Sequence, residues 1–228
     1  MDRIQCAAMF GDVVQLLRHP FATLARIDGR RPLSRGLVAL TLSVALPAAF
    51  SELAGLGPFR PPADLGSLPS LTAQGSDIYA RWTYQHRFVL PLYGVVIGLA
   101  VWLLATALIH LIARSLGGRG DFRGYLTLAG YVALLELVAL PVGVVDTVAR
   151  LQGNARLELF TAQLGGLIGI GVVLWQNVLL VFSARHHYEL STERAVAAVI
   201  GPLGAIVVLL LALIVVEVVL LVLSQGTV

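Results

Sequence analysis

LGGRGDFRGYLTLAGY, residues 116–131, holds five glycines, two arginines and one aspartate between two long apolar runs. Such a stretch is either the phosphate-cradling loop of a nucleotide-binding domain or a turn between membrane helices, and the choice decides the fold. A Walker-type loop needs Gly-x-x-x-x-Gly-Lys-Ser/Thr after a strand, and the dinucleotide fingerprint needs Gly-x-Gly-x-x-Gly between a strand and a helix. Here Gly117, Gly118 and Gly120 follow an apolar run of helical length, no βαβ pattern surrounds them, and the chain contains no lysine. The turn reading gives every residue a task. Gly117 or Gly118 takes the left-handed position that stops one helix, and Asp121 caps the next, with its carboxylate on the free N–H groups and the positive dipole end. Phe122 and Tyr125 then fall at headgroup depth, with Arg114, Arg119 and Arg123 as lipid-facing anchors.

The rest of the chain supplies the membrane. Of its 228 residues 57% are hydrophobic and 13% charged, with a mean hydropathy of +0.85; a soluble domain carries about 25% charged residues. A hydrocarbon core takes about 20 apolar residues to cross, and five segments qualify: about 36–57, 88–113, 124–148, 158–183 and 196–223. The expected fold is all-α, a polytopic membrane protein with five transmembrane helices in a compact bundle. Residues 1–35 form a cytoplasmic amphipathic region and residues 36–228 the five-span domain. Gly94-x-x-x-Gly98 and Gly165-x-x-x-Gly169 argue for close helix packing and are compatible with a homo-oligomer.

Arginines set the orientation. Eleven fall in the N-terminal region and the second and fourth loops, and five in the first and third loops, which places the N-terminus in the cytoplasm and the C-terminus outside. Residues 1–35 lack the continuous apolar stretch and cleavage site of a signal peptide, so the N-terminus is expected to be retained. Within them, Val13, Val14, Leu16 and Leu17 alternate with Asp12, Gln15 and Arg18, and a second short turn runs from Pro20 to Arg26. These read as N-terminal interfacial helices with arginines toward headgroups, or as helices packed on the ends of the spans. All 16 basic residues are arginines spread over the loops without a basic stripe, which argues against nucleic acid and for membrane lipids as partners. In the loop 58–87, prolines precede Tyr79, Trp82 and Tyr84, and Phe88 follows, an aromatic belt at the mouth of the second span.

Three pieces carry a family resemblance. The turn LGGRGDFRGYL with the following AGYVALLELVALP, the entry segment HPFATL at 19–24, and VLWQNVLLVFSARHHYELSTERA at 173–195 together resemble the Yip family of Ypt/Rab-interacting membrane proteins and their prokaryotic relatives. The interval from Tyr131 to Pro141 is longer than the family's usual tyrosine-to-proline spacing. The resemblance covers nearly the whole chain. It implies a five-span protein that is an interaction or membrane-organising module, with a protein partner at its cytoplasmic face, in a prokaryotic cell membrane. Eukaryotic members bind small GTPases.

An ionisable group inside a span costs about 2.5–3.5 kcal/mol on insertion scales and needs a reason. Glu136 lies near mid-membrane in the third span, where Pro141 frees the carbonyl of Leu137; it is either a protonatable pathway residue or a hydrogen-bonded link between helices. Glu52, Asp146 and Glu217 fall toward the outer ends of three spans, as a structural acidic ring facing Arg87, Arg150 and Arg156 or as a cation vestibule. Trp175, Gln176 and Asn177 put an amide pair into the fourth span, suited to interhelical hydrogen bonding. These acids motivate the alternative function, a small transporter or channel. His186 and His187 are adjacent rather than four apart and read as part of a charged loop with Glu189 and Glu193, not as metal ligands. Ser191 or Thr192 starts the fifth span. No H-E-x-x-H, G-x-S-x-G or Cys–His pair suits an intramembrane enzyme, so neither catalysis nor a cofactor is expected.

Overall fold

The computed structural model describes residues 11–12, 14–57, 59, 78, 80–202 and 204. Among the described residues every regular element is helical: α1 Pro20–Ile27, α2 Leu33–Ala54, α3 Leu90–Ser115, α4 Phe122–Ala133, a 3-10 stretch Leu134–Ala139, α5 Leu140–Gln152 and α6 Ala155–His187. Four helices are long and apolar enough to cross a membrane: α2, α3, the continuous run Phe122–Gln152, and α6. Helical backbone resumes at 192–202, where Ser191 holds the first turn by accepting from Arg194 N. The remainder of the expected fifth span lies outside the described residues.

Local chemistry sets the boundaries. Extended Pro32 leads into α2, and Pro91 sits in the first turn of α3, where its missing N–H costs nothing. Gly153 at φ 79 stops α5, and Asn154 caps α6 by accepting from Leu157 N at 3.2 Å. The 3-10 stretch follows from Pro141. Without an N–H there, the Leu137 carbonyl instead accepts from Leu140 N–H, one residue closer in the chain.

Helix α4 is the axis of the bundle. Every residue from Tyr125 to Leu135 is buried, so this run is enclosed on all sides. Tyr125, Leu128, Tyr131, Ile109, Leu179, Ala184 and Tyr188 share its core. The outward face of α3 is apolar instead, with Leu92, Val96, Leu104 and Leu111 all exposed on one side, as a lipid-facing surface requires. Leu24 and Ile27 of α1 belong to the core, and Phe21 meets Phe182 at 4.8 Å and Trp175 at 6.0 Å in edge-on contacts. The apolar side of this segment thus meets the bundle, the second of the two readings open for it. Tyr125 is wholly buried against Tyr188, inside the bundle.

Close packing falls on different glycines than the spacing suggested. A Cβ on Gly94, Gly166, Gly169 or Gly171 would meet nothing within 4 Å, while one on Gly98 or Gly165 would touch only a valine side chain. The tight crossing is α2 on α4. There a Cβ on Gly130 would strike the backbone of Gly36, and one on Gly36 would lie 2.5 Å from Thr127 Cα. Among the described residues, a Cβ on the G-x-x-x-G glycines of α3 and α6 meets at most a valine side chain and no helix backbone.

Candidate functional site

The two ends of the bundle differ. At the end opposite the 116–121 turn, a cavity of about 820 Å³ opens between α2, the start of α3, α5 and α6. Glu136 forms its floor, and Asp146, Arg150, Glu158, Arg87 and Thr161 line its walls. Buried Gln176 reaches across from α6 to donate from Nε2 to Glu136 Oε1 at 3.3 Å. Asp146 accepts from Arg150 Nε at 2.6 Å and from Thr161 Oγ1 at 2.7 Å. Below Glu136, buried Tyr131, Leu134 and Leu135 fill the bundle.

The polar residues singled out in the sequence fare differently. Glu136 and Gln176 come together, and Asp146 shares their cavity. Trp175 lies away from it, against Phe21, and Asn177 donates to the Val173 carbonyl of its own helix at 2.8 Å. Glu52 does not line the cavity, and its buried Oε1 has no hydrogen-bond partner among the described residues. Glu217 lies outside the described residues. The Arg150–Asp146 pair matches the expected charge pairing. Arg87 instead donates to the Tyr84 carbonyl at 2.9 Å and lies over the Tyr84 and Phe88 rings.

At the turn end, the opening sequence does what its residue types imply. Gly117 takes φ 93, its N–H bonds the Arg114 carbonyl, and the Gly118 N–H bonds the Ala113 carbonyl at 2.9 Å, the paired closure of a Schellman stop. Gly118 has no room for a side chain, because a Cβ would come to 2.8 Å of both Ala113 O and Tyr188 Cβ. Asp121 Oδ2 accepts from Gly124 N at 3.0 Å, and this bond holds its carboxyl below the ordinary 3.8. A depressed carboxyl stabilises the fold above its unfolded pKa and ceases to do so as pH falls through the folded one. Asp121→Ala is therefore expected to cost about 1 kcal/mol at neutral pH. Asp121→Asn should keep most of that stability and flatten the acid limb of a melting-temperature profile. Equal acid limbs in the two chains would refute the cap.

His187 joins this turn to the N-terminal segment. Its Nδ1 is 2.7 Å from Asp28 Oδ1, and its Nε2 is 2.8 Å from the Asp121 carbonyl. Both partners can only accept, so only the doubly protonated ring donates to both. Gly120 and Gly124 make this possible, since a Cβ on either would strike the imidazole. Beside it His110 Nδ1 lies 2.7 Å from the Tyr188 hydroxyl, whose burial keeps it protonated far above the usual phenol range. Arg194 reaches the Leu116 carbonyl at 3.2 Å and Arg114 the Gly118 carbonyl at 3.2 Å, pinning the turn from both sides.

A second polar cluster lies where the sequence suggested headgroup-facing arginines. Asp12, with its side chain 4% exposed, accepts from Arg26 Nη2 at 3.3 Å and Arg31 Nη2 at 3.0 Å. These two arginines turn inward because a buried carboxylate needs them. Neither this cluster nor the His187 bridge was visible in the spacing: Asp12 and Arg31 are 19 residues apart, His187 and Asp28 are 159 apart, and no local motif links them.

The family model for the Yip1 domain matches residues 14–214, from the N-terminal segment through all four described spans. No curated protein and no solved structure matches the chain. The matched region covers most of the sequence, including the glycine turn, the Glu136 helix and the 173–195 segment, and so this chain belongs to the Yip1-domain family of multi-pass membrane proteins.

Proposed function

We propose that this protein is a non-catalytic interaction or membrane-organising module of the cell membrane, working through the turn end of its bundle. The observation that carries the reading is the His187 bridge, which binds the N-terminal segment through Asp28 and the 116–121 turn through Asp121. Three separate parts of the chain thereby present one preorganised face, and preorganisation lowers the entropy cost of binding a partner. Exposed Arg30, Arg119, Arg123 and Arg185 give that face its charge. The same excess of arginines places this end and the N-terminus in the cytoplasm, with a fifth span carrying the C-terminus outside. The rival transporter reading gains little, because Glu136 is held by Gln176 and the cavity ends on a packed core.

Two measurements test the proposal. Impermeant maleimide should label Cys6 only after the cell membrane is opened; labelling of intact cells reverses the orientation. Site-specific photocrosslinkers at Arg119 and Arg123 should give one discrete adduct that disappears in His187→Ala, whereas a crosslinker at Val96 on the lipid face should not. Adducts that persist in His187→Ala remove the bridge from the docking role.

A further inference from the structure

The Asp12 cluster is unbalanced, and the imbalance points to a ligand. Arg26 and Arg31 both contact the single Asp12 carboxylate. Arg31 Nη2 lies 2.8 Å from Oδ2, yet this oxygen closes no directed hydrogen bond. Nearby, Arg35 Nη1 is buried with no acceptor among the described residues. The Tyr131 hydroxyl, on a fully buried side chain, sits in the field of Asp12, Arg31 and Arg35 and approaches Asp12 without completing a hydrogen bond. Three guanidinium charges therefore face one carboxylate, and two buried donors lack acceptors. Unmet buried donors are costly.

We propose that Arg26, Arg31, Arg35 and Tyr131 form a binding site for a phosphate group, with Asp12 as its built-in competitor. A phosphate offers more oxygens and more charge than a carboxylate, and the planar guanidinium fork matches it. It would supply the acceptors that Arg35 and Tyr131 lack and offset the charge that Asp12 leaves over. Entry is open, since the Arg26 and Arg31 side chains are 41% and 28% exposed. Arg31 and Arg35 flank the first residue of α2, Leu33, so the site lies at the depth where a spanning helix meets headgroups. Both a lipid phosphate and a free phosphate can reach it. Either one displaces the Asp12 carboxylate from Arg26 and Arg31.

The test uses the full chain in maltoside micelles, which carry no phosphate, titrated calorimetrically with inorganic phosphate in one arm and short-chain phosphatidylglycerol in the other. Asp12→Ala should bind roughly tenfold tighter than the unchanged chain, the value of a charge-assisted hydrogen bond. Adding Arg35→Gln should return it to the starting level. A gain with the lipid alone assigns the source as the membrane, and an equal gain in both arms assigns a free phosphate. No gain in either arm, or a gain that survives Arg35→Gln, overturns the site. Should Asp12→Ala unfold, Asp12→Asn keeps the side-chain volume and repeats the comparison. Tyr131→Phe in the otherwise unchanged chain must in addition weaken binding about threefold, and an unchanged constant there also overturns it.

Discussion

Gly130→Ala is expected to destabilise the bundle by roughly 3 kcal/mol, the upper range for forced overpacking, although it adds a single methyl and improves helix propensity. The methyl would meet backbone atoms of Gly36, and backbone in a hydrogen-bonded helix cannot rotate away as a side chain does. Helices α2 and α4 must therefore separate. In lipid, helix association rests on close packing in place of a hydrophobic drive, so separation forfeits most of what holds the pair. Gly36→Ala meets Thr127 Cα at 2.5 Å and should behave alike. Gly94→Ala and Gly171→Ala, which meet nothing within 4 Å, should stay within about 0.5 kcal/mol of the starting chain. Thermal shift of the monodisperse fraction in detergent reads all four. If Gly130→Ala melts with the Gly94 control, the crossing is not the keystone of the bundle.

That contrast shows what a single sequence reveals. The turn was legible because its information is local: a positive-φ glycine, a capping aspartate three residues before the N–H it accepts from, and apolar runs of spanning length on both sides. The 3-10 break was partly legible, since Pro141 marks the freed Leu137 carbonyl. Partners across the bundle were not. Gly36 and Gly130 carry no spacing signal because their contact is between helices, whereas the G-x-x-x-G pairs carry the signal at positions where, among the described residues, a Cβ would meet at most a valine side chain. Glu136 and Gln176 each stood out as polar residues inside apolar runs, but nothing in the sequence paired them. The alternation in the N-terminal segment identified its apolar side and left open whether lipid or protein covers it. In the fold, Leu24 and Ile27 enter the core and the buried Asp12 carboxylate pairs with Arg26 and Arg31, so protein covers that side. The burial of Tyr125 was not legible for a related reason: tyrosine suits an interface or a buried core, and the small residues Ala129, Gly130 and Ala133 behind it were the clue that neighbouring helices close over this run.

His187→Ala is the second large effect expected, a loss of roughly 3 kcal/mol, as for removing one partner of a buried ion pair. The helix carrying His187 has 33 residues, about 50 Å at 1.5 Å per residue, against roughly 30 Å of hydrocarbon. Its end thus projects past the apolar layer, and the His187 side chain, 8% exposed, is shielded by protein, not by lipid. Removing the ring leaves the Asp28 carboxylate, among the described residues, with His186 at 3.9 Å and half exposed, and leaves the Asp121 carbonyl with the longer bond from Tyr125 N–H at 3.4 Å in place of the imidazole. It also opens a void beside Gly120 and Gly124, against which the imidazole packs. His186→Ala should cost no more than about 0.5 kcal/mol, since its contact with Asp28 is long and solvated. A double-mutant cycle of His187→Ala with Asp28→Asn should give a coupling of about 1–3 kcal/mol. The two changes should also expose residues 20–31 to limited proteolysis to the same degree. Strict additivity in that cycle, with the N-terminal segment still protected, would mean that it is held by Leu16, Leu24 and Ile27 in the core alone. The histidine would then be filling space and not joining the face on which the proposed docking depends.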